Sequence, residues 1–315
     1  MKNQKISIII PVYMAGEKFI HQCLTSVLSQ TYKNFEVIIV CDKGTDNSHL
    51  ICQEYSKKYD FIRYIEPENR LGLSHARNVG LDNVAKDSAY VSIIDIDDWI
   101  EPDYYETLVK NMEDFNADIS ICNSKSSKPT KRHIRQNKFV TKTLTVNQTY
   151  KKFFTTRGMN VTTWDKLLKI SIIGSQRFNE KLHYSEDCLF FFEYFQKCKT
   201  VAWTSKKLYH YIRHNGSMVM QSPFPKRFSE LKSLTLITSK APTVSQTAKI
   251  YSKAWLYILA VEKIYLLRKL KNVYPNEIKY IKSIINENRP FFRATKKHQI
   301  WFRKLIPIWE KFLGI

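Results

Sequence analysis

The chain has 315 residues, and 43% of them are hydrophobic. That length and composition can bury a full core, which argues against a disordered chain and predicts one large domain with a smaller appendage. Lys and Arg number 50 against 29 Asp and Glu, which favours anionic partners such as phosphates, acidic lipid or nucleic acid. Residues 224–315 hold +14 of the net +21, so we expect two regions with different tasks.

Neither a disulfide framework, nor a zinc site, nor a membrane span is expected. The six cysteines are scattered, without a C-x-x-C pair or a metal-ligand spacing, and this fits a reducing cytoplasm. The longest uninterrupted apolar run, residues 254–261, is far shorter than the roughly 18 residues that a spanning helix needs. Residues 1–12 lack a small-residue cleavage site, so they are interpreted as a strand and not as a signal peptide.

The first 125 residues alternate short β-branched runs with helical periodicity. Strands are predicted at residues 6–12, 35–41, 61–66, 90–95 and 118–122. Helices are predicted at residues 17–31, 46–58, 74–85 and 102–115. Such repetition predicts a parallel sheet covered on both faces, and in such sheets ligands bind beyond the carboxyl ends of the strands.

The second half of the chain has a different pattern. Residues 124–145 are polar and basic, which predicts an exposed, mobile insertion with a hairpin near Phe139. Regular patterning returns at residues 150–156, 164–170, 186–196 and 201–204. Further helices are predicted at residues 226–240, 245–271, 275–287 and 298–312. We therefore divide the chain into a domain at 1–223 and a basic helical region at 224–315.

Polar groups follow the first two predicted strands. The first strand ends in Pro11-Val12-Tyr13, which taken alone is an ordinary strand-to-helix turn. The second ends at Asp42, whose carboxylate could accept hydrogen bonds from a base or a ribose. Asp46 shortly afterwards is equally suited to cap the next helix.

A glycine-containing turn leads into the third helix. Gly72 is interpreted as the entry turn and Ser74 as the cap of a helix that carries Arg77 one turn in. As structure, this is an ordinary capped helix. As function, a helix N-terminus with an arginine suits a diphosphate.

Three carboxylates are packed together at the end of the predicted strand 90–95. They belong to Asp95, Asp97 and Asp98. Like charges at such short range destabilise a fold unless a cation relieves them, so a divalent metal is favoured over a solvated acidic turn. Mg²⁺ or Mn²⁺ held by one or two carboxylates and by substrate phosphates matches this set of ligands.

These motifs occur in a defined order: P-V-Y, V-x-D with T-D-N-S, N-x-x-G-L-S-x-A-R-N-x-G, and D-x-D-D. The set resembles the family-2 glycosyltransferases over about the first 220 residues. This resemblance implies a GT-A fold, an α/β architecture with a Rossmann-like, mostly parallel sheet flanked by helices, here followed by a mainly helical C-terminal region.

The resemblance also implies a nucleotide-sugar site. The matching residues are Pro11, Val12, Tyr13, Asp42, Arg77, Asp95 and Ile96. Asp97 is expected to bind Mn²⁺ or Mg²⁺ directly, with Asp95 as second ligand and nearer the ribose. The family's usual D-D-G-S is replaced here by residues 41–44, Cys-Asp-Lys-Gly, which keeps Asp42 but changes its neighbours.

Two downstream segments extend the resemblance. Residues 163–167 resemble the family's W-x-K-L motif, and residues 182–187 resemble its E-D motif, in which Asp187 matches the general base. Taken alone, Ser185-Glu186-Asp187 is an N-cap with acids in the first helical turn. Residues 208–217 resemble the closing loop, where Arg213 or His214 could reach the diphosphate; a solvated basic loop is the alternative.

The predicted reaction is metal-dependent, inverting transfer of a sugar from a nucleotide diphosphate sugar, with UDP as the family's usual nucleotide. The acceptor is expected to be a glycan or lipid-linked glycan of a bacterial surface polysaccharide. We expect a cytoplasmic protein, peripheral on the inner face of the membrane through its basic region, with homo-oligomers left open and no nucleic-acid partner. Two alternatives remain: a sugar nucleotidyltransferase, and a non-enzymatic basic protein that binds anionic lipid or nucleic acid.

Overall fold

The described part of the chain forms one nine-stranded sheet. The computed structural model describes residues 3–42, 44–69, 72–127, 139–155, 161–214, 228–269 and 275–295, together with residues 306 and 310. Its strands are β1 Lys5–Val12, β2 Phe35–Cys41, β3 Ile62–Ile65, β4 Ser88–Ile93, β5 Trp99–Ile100, β6 Ile119–Ser127, β7 Thr141–Leu144, β8 Lys166–Lys169 and β9 Val201–Ile212.

Helices flank this sheet and dominate the C-terminal region. They are α1 Glu17–Leu28, α2 Ser48–Lys58, α3 Leu73–Asp82, α4 Tyr104–Asp114, α5 Val146–Phe153, α6 Ile170–Ile173, α7 Glu186–Lys197, α8 Phe228–Val244, α9 Gln246–Lys269 and α10 Pro275–Thr295. None of the described helices combines the length and the apolar character that crossing a bilayer requires.

The strand order is β3-β2-β1-β4-β8-β6-β9-β5, with β7 paired to β9. β3, β2, β1 and β4 run parallel to one another, and β6 runs parallel to β9. All seven residues of β2 are buried, as expected for a parallel strand covered on both faces. The predicted α/β architecture is therefore confirmed, and the carboxyl ends of β1, β2 and β4 lie at one edge of the sheet.

Helix α3 lies close to β1 because residue 80 is a glycine. A Cβ at Gly80 would lie 2.3 Å from Cγ2 of Ile9, a β-branched side chain that is fully buried in β1. No rotation of a flexible chain end can relieve such a contact. Gly80 thus allows the C-terminal part of α3 to pack closely against β1.

Strands β5 and β8 were not predicted from the sequence, and β7 lies beside the hairpin predicted near Phe139. β8 pairs with β4 and β6, while β5 and β7 pair with β9, and all of these pairs are antiparallel. The ends of the predicted insertion 124–145 belong to this part of the sheet, since β6 continues to Ser127 and β7 spans Thr141–Leu144. Residues 128–138 lie outside the described residues, as does nearly all of the predicted helix 298–312.

The contacts of the chain divide it into two compact units. Unit 1 comprises Met1–Val146, Thr162–Lys181 and Glu193–Ser222, and it contains the sheet. Unit 2 comprises Asn147–Val161, Leu182–Phe192 and Pro223–Ile315, and it contains α8, α9 and α10. The last segment of unit 2 begins at Pro223, one residue before the predicted region 224–315, and two earlier segments are grouped with it.

In the described residues of unit 2, apolar packing is accompanied by a buried ion pair. Tyr257 and Ile258 of α9 are fully buried. The Lys263 ammonium group, also buried, lies 2.5 Å from the Glu230 carboxylate of α8. A buried ammonium group is tolerated only with such a partner.

Candidate active site

The two carboxylates predicted to hold a metal, Asp97 and Asp95, lie together with Asp98 at the carboxyl end of β4. Asp95, Asp97 and Asp98 each place an oxygen within 4.8 Å of the others. The backbone of Ile94 is bonded to Ile9 of β1, so the chain leaves the sheet only at Asp95. This is the edge at which ligands of parallel α/β sheets bind.

Asp98 is an anchor within this cluster. Its side chain is fully buried, and it accepts a 2.8 Å bond from the Tyr209 hydroxyl and a 2.8 Å bond from the Ile212 N–H. Burial raises the pKa of its carboxyl well above the usual range, and the charges of Asp97 and Asp95 raise it further, against the two hydrogen bonds. Asp98 therefore fastens the end of β9 to the turn that follows β4.

Asp97 is paired with a histidine from the far end of the same unit. His214 Nε2 lies 2.9 Å from Asp97 Oδ2, and about a quarter of each side chain is exposed. The His214 ring also packs on Phe19, with 4.6 Å between the ring centroids. Of the two candidates in this segment, the structure brings His214 to the carboxylates, whereas Arg213 is exposed.

Arg77 reaches the cluster from α3. Its side chain is buried, and Nη2 lies 3.4 Å from Asp95 Oδ1. The predicted cap of this helix was wrong: α3 begins at Leu73, Gly72 occupies the N-cap position, and Ser74 lies inside the first turn. The reason is the backbone of Gly72. Its φ of 90° is a conformation that favours glycine, and the helix begins directly after it.

The ends of β1 and β2 lie beside each other, as predicted. Pro11 and Val12 are buried, whereas Tyr13 is 38% exposed. The N–H of Asp42 donates to the carbonyl of Val12 at 2.9 Å, and the Asp42 side chain is buried.

Asp46 is not the N-cap of α2, which is Asn47, but its carboxylate still bonds to the first turn of that helix. Its carboxylate accepts bonds from the Ser48 N–H at 3.2 Å and the Ser48 hydroxyl at 2.7 Å, in the first turn of α2. It also accepts the Gly16 N–H at 3.3 Å, which joins the turn before α1 to the turn before α2.

An aromatic stack includes Tyr209, the residue whose hydroxyl binds Asp98. Trp164 is stacked on Tyr209 with 4.6 Å between centroids and on Tyr211 with 5.6 Å. Next to it, Lys166 and Asp165 form a fully buried ion pair at 2.5 Å. Trp164 and Lys166 of the W-x-K-L segment thus have packing and ion-pair contacts. The contact of Tyr209 with the carboxylates was missed from the sequence, in which the alternating pattern of residues 208–212 was its only signal.

A second pair was also missed from the sequence: buried His210 of β9 is paired with the partly buried Glu101 that follows β5. His210 Nε2 lies 2.7 Å from Glu101 Oε1. The His210 ring is stacked on Trp99, with 3.5 Å between centroids and 8° between planes. These contacts help to hold β9 against the turn that carries Asp97 and Asp98.

The predicted base lies in the other compact unit. Asp187 is half-buried in the first turn of α7, and its Oδ1 accepts the N–H of Cys188 at 2.7 Å. Glu186 beside it is buried. Ser185, before the helix, has a φ of 58°, and its carbonyl accepts a 2.6 Å bond from the Ser233 hydroxyl of α8.

Comparisons with known proteins agree with this arrangement. The model of glycosyl transferase family 2 matches residues 7–179. The chain belongs to this family. The fold and enzyme class expected from its motifs are thereby confirmed.

Its relatives include several bacterial glycosyltransferases. It is 36% identical over 225 residues to glycosyltransferase GlyA of Streptococcus pneumoniae, covering 69% of this chain and 32% of GlyA. It is 30% identical over 255 residues to putative glycosyltransferase EpsH of Bacillus subtilis, covering 79% of this chain and 72% of EpsH. The chain thus spans about a third of the length of GlyA.

Two solved structures share the fold. S. aureus TarS 1-349 in complex with UDP matches with a TM-score of 0.64 at 17% identity, covering 94% of this chain and 92% of that one. Mannosyltransferase PcManGT from Pyrobaculum calidifontis, in complex with GDP-Man and Mn²⁺, matches with a TM-score of 0.56 at 14% identity, covering 93% and 86%. These likenesses show a GT-A fold.

Proposed function

We propose that the protein transfers a sugar from a UDP-sugar to a hydroxyl of a glycan or lipid-linked glycan during bacterial surface polysaccharide synthesis. The observation that carries this proposal is the group formed by Asp95, Asp97 and buried Arg77 at the carboxyl end of β4. Family membership supplies the reaction class. The TarS complexes with UDP and UDP-GlcNAc support the donor class, and a relative described as minor teichoic acid biosynthesis protein GgaB supports the acceptor class.

Asp97 and Asp95 would hold a divalent ion. Their side chains are each 26% exposed, whereas both oxygens of Asp98 accept bonds from the protein. Oxygen ligands of this kind suit Mn²⁺ and Mg²⁺. When bound, such an ion would offset the negative charge of the diphosphate. In this proposal the ends of β1 and β2, Asp42 and Ile96 line the nucleotide pocket.

The protein groups then divide the reaction between them. Arg77 stabilises negative charge on the departing UDP, with Arg213 near the diphosphate, and Asp187 accepts the proton of the acceptor hydroxyl. A base must approach the acceptor hydroxyl on the face opposite the leaving group, so neither Asp95 nor Asp97 can serve as the base. Attack from that face inverts the configuration at the anomeric carbon.

We further propose that the C-terminal region contacts an anionic membrane surface, where lipid-linked acceptors reside. Its net charge of +14 and the exposed face of α10, with Lys279, Tyr280 and Lys282, support this. Flotation with anionic liposomes tests it. Equal recovery of the full chain and of a chain ending at Lys297, at low and high salt, would contradict a contribution from the last residues.

The two alternative functions have less support. A sugar nucleotidyltransferase needs a glycine-rich phosphate loop after its first strand. Residues 13–17 contain a single glycine, Gly16, which is too few for such a loop. A non-enzymatic function would not explain the clustered Asp95 and Asp97, and it would not agree with membership of a glycosyltransferase family.

Release of free UDP from a panel of UDP-sugars, with Mn²⁺ and with EDTA, tests the proposal. We expect UDP release with one or more donors, dependent on the metal, and a higher melting temperature with that donor because a ligand of the native state stabilises it. No release and no thermal shift with any UDP-sugar, in a folded protein, would exclude a UDP-sugar donor.

A further inference from the structure

Consecutive residues of α3 both contact Phe178, a residue of unit 1 that lies 100 positions later in the chain. The Asn78 side chain forms two bonds with the Phe178 backbone. Its Oδ1 accepts the Phe178 N–H at 2.7 Å, and its Nδ2 donates to the Phe178 carbonyl at 3.0 Å. The carboxamide thus pairs with this residue as a neighbouring strand would, which places the Phe178 ring at a defined position.

That ring faces the guanidinium group of Arg77. The Arg77 guanidinium carbon lies 5.4 Å from the centroid of the Phe178 ring, and both side chains are buried. An aromatic face is electronegative and attracts a cation most strongly where water is excluded. The same guanidinium lies 3.4 Å from Asp95 through Nη2. Arg77 is therefore held between a carboxylate and an aromatic ring.

The segment that carries Phe178 has a second attachment to α3. The Asn78 Nδ2 also donates to Glu180 Oε1 at 2.8 Å, and His75 Nδ1 lies 3.1 Å from the same oxygen. An aspartate at position 78 could not donate these bonds, and it would place a second carboxylate beside Glu180. An amide is therefore required at position 78, although Asp and Asn have nearly the same shape.

We propose that Phe178, held by Asn78, is a positioning residue that sets the orientation of the Arg77 guanidinium for nucleotide binding. This inference rests on the proposed function, because it assigns Arg77 to the UDP-sugar site. It explains why the A-R-N motif contains an asparagine after the arginine: the arginine acts on the ligand, and the asparagine fixes the ring that orients it.

A double-mutant cycle on UDP affinity tests the proposal by calorimetry. We expect Phe178→Leu, which keeps an apolar side chain but removes the aromatic face, to weaken UDP binding by about 10-fold. In an Arg77→Ala background the same substitution should change UDP affinity by less than about 2-fold, because a residue that acts through Arg77 has no further effect without it. Phe178→Tyr keeps the ring and should retain affinity.

Two further variants separate positioning from general damage. Phe195→Leu is the matched control, since Phe195 is buried in α7 of unit 1; it should lower the melting temperature without changing UDP affinity. Asn78→Asp should weaken UDP binding in the same direction as Phe178→Leu. If Phe178→Leu does not fold, Asn78→Asp replaces it in the cycle.

A readout that needs no nucleotide keeps this proposal separate from the proposed function. In wild-type protein the Arg77 Nε–H resonance, assigned with Arg77→Lys, should show an upfield ring-current shift that is lost in Phe178→Leu. A wild-type resonance without that shift would overturn the inference, as would equal losses of UDP affinity in the wild-type and Arg77→Ala backgrounds. A ring-current shift without UDP binding would overturn only the proposed function.

Discussion

Replacing Tyr209 by phenylalanine tests whether the carboxylate cluster depends on β9. The Tyr209 hydroxyl is buried, donates to Asp98 at 2.8 Å and accepts the Asp95 N–H at 3.3 Å. The substitution removes only this oxygen. The ring that stacks on Trp164 remains, so packing is preserved while two polar groups of the aspartate turn lose a partner.

The expected loss can be estimated from these two bonds. A hydrogen bond between neutral groups, the form that burial favours for Asp98, contributes about 0.5–1.5 kcal/mol, and a buried polar group left without its partner costs about 1–3 kcal/mol. The hydroxyl no longer has to be desolvated, which offsets part of this, so we expect a net loss of about 2 kcal/mol. At roughly 2–4 °C per kcal/mol for a domain of this size, the melting temperature should fall by about 4–8 °C.

Tyr211→Phe is the matched control. Tyr211 stacks on the same Trp164, yet its hydroxyl forms no hydrogen bond within the described part of the chain. We expect its melting temperature, followed by circular dichroism, to stay within about 2 °C of wild type, since substitutions away from such bonds change stability by about 0.5 kcal/mol or less. Equal melting temperatures for Tyr209→Phe and Tyr211→Phe would refute the anchoring role of the Tyr209 hydroxyl.

Four further predictions concern the site and its support. Asp97→Ala should abolish the Mn²⁺ dependence of UDP binding while the circular dichroism spectrum is kept. Asp187→Asn should lower turnover by about 10²–10⁴-fold with UDP affinity unchanged, and NMR of the wild-type product should show inversion. The pKa of the Glu180 carboxyl is lowered, mainly by its hydrogen bond from Asn78. Ionised Glu180 therefore stabilises the native state at neutral pH, and this contribution is lost as the pH falls through the lowered pKa. Asn78→Ala should raise the pKa of Glu180 in an NMR titration. Gly80→Ala should destabilise the protein by about 1–3 kcal/mol in urea unfolding, because the new methyl overlaps Ile9.

Each of these predictions has an outcome that contradicts it. Unchanged affinity and metal requirement in Asp97→Ala would remove the metal assignment, and near-normal turnover in Asp187→Asn would falsify the base assignment, with Glu186→Gln as its matched control. An unchanged Glu180 pKa in Asn78→Ala would show that another group sets it. Wild-type stability of Gly80→Ala would mean that α3 can move away from β1.

Much of the structure of residues 1–125 was predictable from the local sequence. The β-branched runs and helical periodicity of residues 6–115 predict β1 to β4 and α1 to α4 because each element is specified by its own side chains and by short connections. The aspartates follow β4 directly, so their clustering needs only the end of one strand. Family membership follows from the same motifs.

The antiparallel part of the sheet could not be predicted in this way. β5 has two residues, too few for any periodicity, and β9 continues through a segment that resembled a loop. Residues 208–212 become a strand because they pair with β5 and β6, and such pairings are decided by the whole sheet.

The sequence by itself determines the parallel sheet, the position of the aspartates after β4 and the charge of the C-terminal region, because periodicity and composition are properties of neighbouring residues. Only the tertiary structure decides that Tyr209 holds Asp98 across 111 positions and that His214 meets Asp97 across 117. No local pattern encodes these contacts. They form when the strands that carry them enter one sheet, since long-range pairing is stable only once the surrounding core is complete.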